Sequence, residues 1–125
     1  MPLPGKEFAL KSWTDENRLV LRPSGSLNWE EGDELRNHVK SCELRELLII
    51  DLTDVAIVSS GGMAALIDIF TYLRPRGIRL QIWCPNTRVR EVLETAHLDR
   101  LLDIQPVTEP TGIFIEVRSV NPKEA

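Results

Sequence analysis

One stretch, residues 47–73, constrains the fold of this chain more than any other. It opens with the aliphatic run Leu47–Leu52, which is typical of a strand that is covered on both faces in a parallel or mixed sheet. A helix is predicted to follow, because apolar residues recur there at spacings of three and four: Met63, Leu66, Ile67, Phe70 and Leu73. We therefore expect a strand, a loop and a helix at the centre of the domain.

A serine pair and a glycine pair, residues 59–62, stand where that helix should begin. The first N–H groups of a helix have no intrahelical acceptor, and the helix dipole places partial positive charge there. The Ser60 hydroxyl could cap this end, and the glycines could simply form a tight turn. The same hydroxyl could instead carry a phosphate, whose negative charge the helix end would stabilise. On residue types alone, capping is the simpler interpretation.

The central stretch resembles the signature of STAS domains, and most closely that of the stand-alone anti-sigma factor antagonists of bacteria. In that signature an aliphatic strand ends in Asp, a loop follows, and Asp-Ser-Ser/Thr/Gly-Gly-Leu-Gly/Ala opens a helix. Asp51 falls on the strand-end acid and Ser60 on the phosphorylatable serine. The next four places of the signature are taken by Gly61, Gly62, Met63 and Ala64.

The resemblance implies a fold and a mechanism. The fold would be an α/β STAS-like fold, with a mixed sheet of four to five strands and helices packed mainly on one face. The mechanism would be transcription regulation by partner switching, in which an anti-sigma factor with serine kinase activity phosphorylates Ser60 and a serine phosphatase restores it. Partner docking is then predicted for the residues around Ser60, namely Ser59, Gly61, Gly62, Met63, Ala64 and Asp54, with Asp51 as a loop acid.

One residue departs from the signature, because Ser59 stands where the family has Asp. The carboxylate beside the hydroxyl is therefore missing. Either the phosphorylation chemistry is altered here, or phosphorylation has been lost and only docking remains. The second case corresponds to the alternative function, a non-phosphorylated adaptor or scaffold subunit of a stressosome-like assembly or a lipid-trafficking ABC transporter.

The segments before the central stretch predict a hairpin and a helix. Residues 6–13 and 18–22 are expected to form two strands, with the second ended by Pro23-Ser24-Gly25-Ser26. Asn28 is a good N-cap, with Glu31 at capping-box spacing, for a helix that runs to about Cys42. The predicted buried stripe of that helix is Trp29, Leu35, Val39 and Cys42.

The segments after the central stretch predict one more strand and helix. The central helix should end at residues 74–77, and residues 78–84 alternate as a strand. Asn86 or Thr87 would cap the next helix, whose predicted apolar face is Val89, Val92, Leu93 and Ala96. Asp99 is a candidate cap for a last short helix. We assign residues 1–105 to the STAS domain and 106–125 to a C-terminal extension, in which residues 112–117 have the propensity of an added edge strand.

Composition excludes several classes of function. The chain has 125 residues, enough for one domain, and a net charge of −4, which argues against binding nucleic acid or anionic membranes directly. No secretion signal and no membrane-spanning run is apparent, and two isolated cysteines, Cys42 and Cys84, fit a reducing compartment. We therefore expect a cytoplasmic protein, and its state as monomer or homodimer stays open.

No catalytic site is predicted. Residues 58–62 lack the leading glycine of a nucleophile elbow, and the serine–glycine turn lacks the lysine and the fuller glycine loop of a nucleotide site. His38 and His97 are the only histidines, and neither lies in a recognisable motif for a base or a metal ligand. The expectation is a binding protein without enzyme activity, metal or cofactor.

Overall fold

The computed structural model of the chain describes residues 8–106. In this part the elements follow as β1 (Ala9–Thr14), β2 (Arg18–Leu27), α1 (Trp29–Ser41), β3 (Leu47–Asp51), β4 (Asp54–Val58), α2 (Ser60–Leu73), β5 (Arg79–Trp83), α3 (Thr87–Thr95) and β6 (Asp103–Gln105). Short 3-10 helices, Arg74–Arg76 and Leu98–Arg100, follow α2 and α3. The predicted α/β class is confirmed.

The strands form one mixed sheet with the order β1-β2-β3-β5-β6. β1 is antiparallel to β2, so the predicted hairpin is present, while β2, β3, β5 and β6 pair in parallel. β4 also pairs in parallel with β2, beside its last four residues, 24–27. The C-terminal half of β2 thus leads directly to the start of α1, next to the start of α2.

Within residues 8–106 the sheet has six strands, including the short C-terminal β6, where the sequence predicted four to five strands and a possible extra C-terminal strand. Residues 54–58 form β4 rather than part of a loop, and β2 runs past Pro23 to Leu27. The turn-forming residues at positions 23–26 misled the prediction, because parallel pairing with β4 overrides their local preference. They coincide with a register shift between Gly25 and Ser26, where Gly25 has a φ of 101°.

The helices lie mainly on one face of the sheet, as predicted. α1 and α2 pack against each other, and their buried residues Leu35, Val39, Leu66 and Ile69 join the large core with strand residues such as Leu21 and Ile50. A smaller cluster lies on the other face, where Val20, Ile49 and Trp83 pack with Trp13 and Leu47. Alternation along β2 and β3 separates these two sets of side chains.

Gly32 explains how closely α1 and α2 approach each other. A Cβ at this position would lie 2.8 Å from the Cβ of Ala65 and 3.2 Å from the carbonyl oxygen of Gly61. A glycine inside a helix lowers its intrinsic stability by about 1 kcal/mol relative to alanine. At Gly32 the close packing of α1 against α2 requires this loss of helix stability, because any side chain would push the two helices apart.

Two predicted apolar faces need correction. Trp29 is 67% exposed rather than buried, whereas Leu35 and Val39 are fully buried and Cys42 is half-buried. On α3, Val89 and Leu93 are buried, but Val92 and Ala96 are exposed. In both helices the buried face is narrower than the apolar pattern suggested.

The last strand of the described residues is the short β6, an added C-terminal strand that pairs with β5. Asp99 lies within the last 3-10 helix, which is preceded by His97 in a left-handed conformation, so the predicted cap is wrong. The predicted strand over residues 112–117 lies outside the described residues. None of the helices within residues 8–106 combines the length and the apolar character needed to cross a membrane.

Candidate functional site

The N-terminus of α2 is capped by Ser59. Its backbone is extended, its Oγ accepts a hydrogen bond from the N–H of Gly62 at 3.4 Å, and its carbonyl accepts one from the N–H of Met63 at 2.9 Å. The Ser59 hydroxyl also lies 3.5 Å from the carbonyl oxygen of Leu27, to which it donates. The capping hydroxyl is therefore Ser59, one residue earlier than the interpretation that assigned capping to Ser60.

Ser60 is the first residue of α2, and its side chain is exposed. Within residues 8–106, neither its hydroxyl nor the backbone N–H groups of Ser60 and Gly61 make a hydrogen bond. The first turn of α2 contains no acidic residue, so the positive end of the helix dipole is not compensated there. A negative group attached to this hydroxyl would meet free N–H donors and a favourable dipole.

Gly61 and Gly62 are buried, and their missing side chains make room for this chain's own backbone. A Cβ on Gly61 would lie 2.7 Å from the Cα of Trp29, and a Cβ on Gly62 would lie 2.2 Å from the carbonyl oxygen of Leu27. The space that these two predicted docking residues leave is therefore filled by the chain itself rather than open to a partner. They let α2 start directly against the junction of β2 and α1.

Trp29 is the residue at this site that sequence reasoning missed. Its Cε3 would lie 2.7 Å from a Cβ on Gly61, so the indole covers the residue next to Ser60 while remaining exposed. Helical phase could have revealed this. At about 100° per residue, Trp29 lies about 100° away from the centre of the face that Leu35 and Val39 define.

The other predicted docking residues are spread around the start of α2. Met63 and Ala64, in its first turns, are half-buried, and Met63 packs on the core. Asp54 is exposed but opens β4 at the end remote from Ser60, roughly 13 Å from Val58 at the usual rise of a strand. The structure brings Ser59, Ser60, Gly61 and Gly62 together and leaves Asp54 apart.

Asp51 is fully buried at the end of β3 and is part of an ion pair. Its Oδ2 accepts hydrogen bonds from Nη2 of Arg22 at 2.9 Å and from Nε at 3.1 Å. Its Oδ1 accepts from the N–H of Thr53 at 3.0 Å and from the Thr53 hydroxyl. Alternation along β3 places Asp51 on the same face as Ile49, opposite α1 and α2. This carboxylate stabilises the turn between β3 and β4 through its hydrogen bonds with Thr53, and it does not face Ser60.

Comparison with known proteins identifies the family. The family model of the STAS domain matches residues 11–110, which is most of the chain. The chain belongs to the STAS domain family. No curated protein sequence matches this STAS domain.

Three solved structures illustrate what this STAS domain resembles in fold. An anti-sigma factor antagonist of Mycobacterium paratuberculosis is 19% identical, with a TM-score of 0.68 over 86% of this chain and 92% of that chain. The anti-sigma factor antagonist SpoIIAA in its unphosphorylated form is 16% identical, with a TM-score of 0.63 over 86% of this chain and 94% of that chain. A sulfate transporter family protein of Wolinella succinogenes is 18% identical, with a TM-score of 0.64 over 70% and 75%.

The structure also describes a histidine and two cysteines outside the start of α2 in this STAS domain. His97 is exposed at the junction after α3, and Cys42 and Cys84 are free thiols whose pKa values burial raises. Between residues 8 and 106, no group of three or more His, Cys, Asp or Glu side chains could hold a metal ion.

His38 gives a prediction about pH. It is half-buried on α1, its Nδ1 has no hydrogen-bond partner among residues 8–106, and burial lowers the pKa of the imidazole. Because the folded pKa lies below the unfolded one, the unfolded state binds more protons as the pH falls below about 6.5. The free energy of unfolding of the wild type should therefore fall relative to that of His38→Gln between about pH 7.5 and 5.5. Urea titrations at both pH values test this, and an unchanged or increased difference would contradict it.

Proposed function

We propose that this STAS domain is an anti-sigma factor antagonist that regulates transcription by partner switching, controlled by phosphorylation of Ser60. The observation that carries the proposal is the division of tasks between the two serines. Ser59 caps α2, whereas Ser60 is exposed and makes no hydrogen bond within the described part of the chain. A hydroxyl that is not needed for the fold can accept and lose a phosphate without unfolding the helix.

Electrostatics supports a change of binding state rather than a change of fold. A phosphate adds about −1.5 to −2 charges at pH 7. At Ser60 this charge would be stabilised within the domain by the free N–H groups and the dipole of α2. At a partner's surface it would require burying or screening a doubly charged group, and acidic side chains there would repel it.

The departure at Ser59 is compatible with this function. The structural task at that position is to accept a hydrogen bond from the start of α2, and serine and aspartate are both strong N-cap residues. Ser59 performs that task through its bond with the N–H of Gly62. Replacing the family's Asp therefore leaves Ser60 in the position of a phosphoacceptor.

The proposed partners follow from this mechanism. They are an anti-sigma factor with serine kinase activity, which would phosphorylate Ser60 and release the domain, and a serine phosphatase, which would reverse the step. The domain itself would act in the cytoplasm as a binding protein without catalytic activity. Docking would involve the surface around Ser60, including Ser59, Met63 and Ala64.

The test is phosphorylation by a purified anti-sigma factor kinase with ATP. We expect one phosphate per wild-type chain by intact-mass analysis, mapped to Ser60, and none on Ser60→Ala. Ser41→Ala serves as the control, since it removes an exposed hydroxyl at the far end of α1 and leaves the start of α2 intact. A phosphate mapped to any other residue, or none on the wild type, would contradict the switch.

A second candidate is a non-phosphorylated adaptor. It is favoured by the likeness of the fold to a sulfate transporter family protein as well as to anti-sigma factor antagonists. In that case the surface around Ser60 would bind its partner constitutively. Stable binding to a partner, with no phosphorylation and with equal affinity for Ser60→Asp and wild type, would favour the adaptor.

A further inference from the structure

Two large apolar side chains stand out from the surface of the domain. Trp29 is 67% exposed and Ile57 is 57% exposed, more than any other large apolar side chain within residues 8–106. A tryptophan ring offers a large apolar area, and tryptophan is enriched among the residues that dominate binding energy at interfaces.

Trp29 lies next to Ser60, because it contacts Gly61, the residue after Ser60. Ile57 does not share this surface. It is paired with Ser26 in the parallel register of β4 and β2, and the next pair, Leu27 and Val58, faces the core with α1 and α2. Alternation therefore places Ile57 on the opposite face. We call Trp29 and Ser60 the Trp29 patch.

The patch has an acidic border along α1. Glu30 and Glu34 are exposed, and neither makes an ion pair in the part of the chain that the structure describes. Asp33 is also exposed and is bound to Arg36, which bridges it to Asp68 on α2. The border of the patch on this side is therefore negative overall.

We propose that the Trp29 patch is the anchor for the kinase partner, which offers an apolar pocket for the indole, bordered on the α1 side by arginine or lysine. Exposed tryptophans are over-represented among residues that dominate binding energy, and complementary charges fix orientation and speed association. A second copy of this chain fits poorly, because its own acidic border would face the first. This inference rests on the proposed function.

The same geometry shows how a phosphate would act. It would be attached one residue before Gly61, whose neighbour is the Trp29 ring, and would place a strongly hydrated dianion at the edge of the apolar contact. Closing the partner's pocket over Trp29 would then require dehydrating that group. The patch thus connects the covalent change on Ser60 to the loss of the partner.

The test compares affinities for the purified kinase by titration calorimetry. Trp29→Ala should weaken binding roughly 30-fold, and Trp29→Phe should retain part of it. Leu101→Ala is the matched control, because Leu101 is another exposed apolar residue, 41% exposed, and lies outside the patch. Circular dichroism should show all variants folded, since Trp29 contributes little buried side-chain area.

A second experiment tests the acidic border of the patch. Replacing Glu30 and Glu34 by lysine should slow association roughly tenfold at low salt and flatten its dependence on salt. Glu43→Lys is the control, since Glu43 is exposed beyond the far end of α1.

The outcomes separate the two proposals. If the kinase binds wild type and phosphorylates Ser60, but binds folded Trp29→Ala equally well, the anchor is overturned and the switch stands. If the kinase binds but the lysine variants associate at the wild-type rate, the cationic border of the partner is overturned. If no anti-sigma factor kinase binds the wild-type chain, both proposals are overturned, and concentration-dependent dimerisation lost in Trp29→Ala would assign the patch to self-association.

Discussion

Gly62→Ala is expected to lower the free energy of unfolding by about 3 kcal/mol. The added Cβ would lie 2.2 Å from the carbonyl oxygen and 3.0 Å from the carbonyl carbon of Leu27, which belong to the backbone at the end of β2. Alanine is otherwise favoured over glycine in a helix by about 1 kcal/mol, so the clash must outweigh an intrinsic gain. The start of α2 would have to move away from the sheet.

Equilibrium unfolding in urea measures this effect. Ser60→Ala is the matched control on the same helical turn, and it should change stability by no more than about 0.5 kcal/mol, since its side chain is exposed and Ser59 provides the cap. A Gly62→Ala variant as stable as wild type would show that α2 does not start against Leu27 as described.

Asp51→Ala is expected to lower the free energy of unfolding by about 3–5 kcal/mol. The Asp51 carboxylate is fully buried, and the Arg22 side chain bound to it is only 16% exposed. Removing the carboxylate leaves the guanidinium in a poorly solvated place without this partner. It also takes away an acceptor that the N–H and the hydroxyl of Thr53 share, at the turn between β3 and β4.

A surface pair provides the control. Asp68→Ala breaks the bridge between Arg36 on α1 and Asp68 on α2, where the Asp68 side chain is 51% exposed, and should cost less than about 1 kcal/mol. A double variant, Asp51→Ala with Arg22→Met, should recover part of the lost stability, because it removes the charge as well as its partner. Equal losses for Asp51→Ala and Asp68→Ala would contradict the role assigned to the buried pair.

The elements with strong local signals were predictable from sequence. The aliphatic run of β3, the amphipathic pattern of α2, the capping box at Asn28 and the end of α2 at residues 74–77 all appear as expected. Each depends on residues close together in the chain, for which spacing and backbone preference decide the outcome. The STAS fold and the family followed from the same central stretch.

The features that the sequence did not reveal depend on contacts between distant segments. β4 forms where the end of β2 is available to pair with it. Its Val-Ala-Ile-Val run, residues 55–58, favours a strand, but so short a run does not show which strand it would pair with. Gly61 and Gly62 were interpreted as a surface for a partner, yet they face Trp29 and Leu27, more than 30 positions earlier. Small residues at the start of a helix indicate that another backbone lies close to it. They do not show whether that backbone belongs to a partner or to the same chain.

The central claim is that a phosphate on Ser60 changes partner binding without changing the fold. The most direct measurement is the affinity of the anti-sigma factor kinase for the fully phosphorylated and the unphosphorylated wild-type chain, with circular dichroism on both. We expect phosphorylation to weaken binding by roughly 30-fold or more, about 2 kcal/mol, while the spectrum is unchanged. Equal affinity of the two forms, or loss of binding only because the phosphorylated chain unfolds, would contradict the claim.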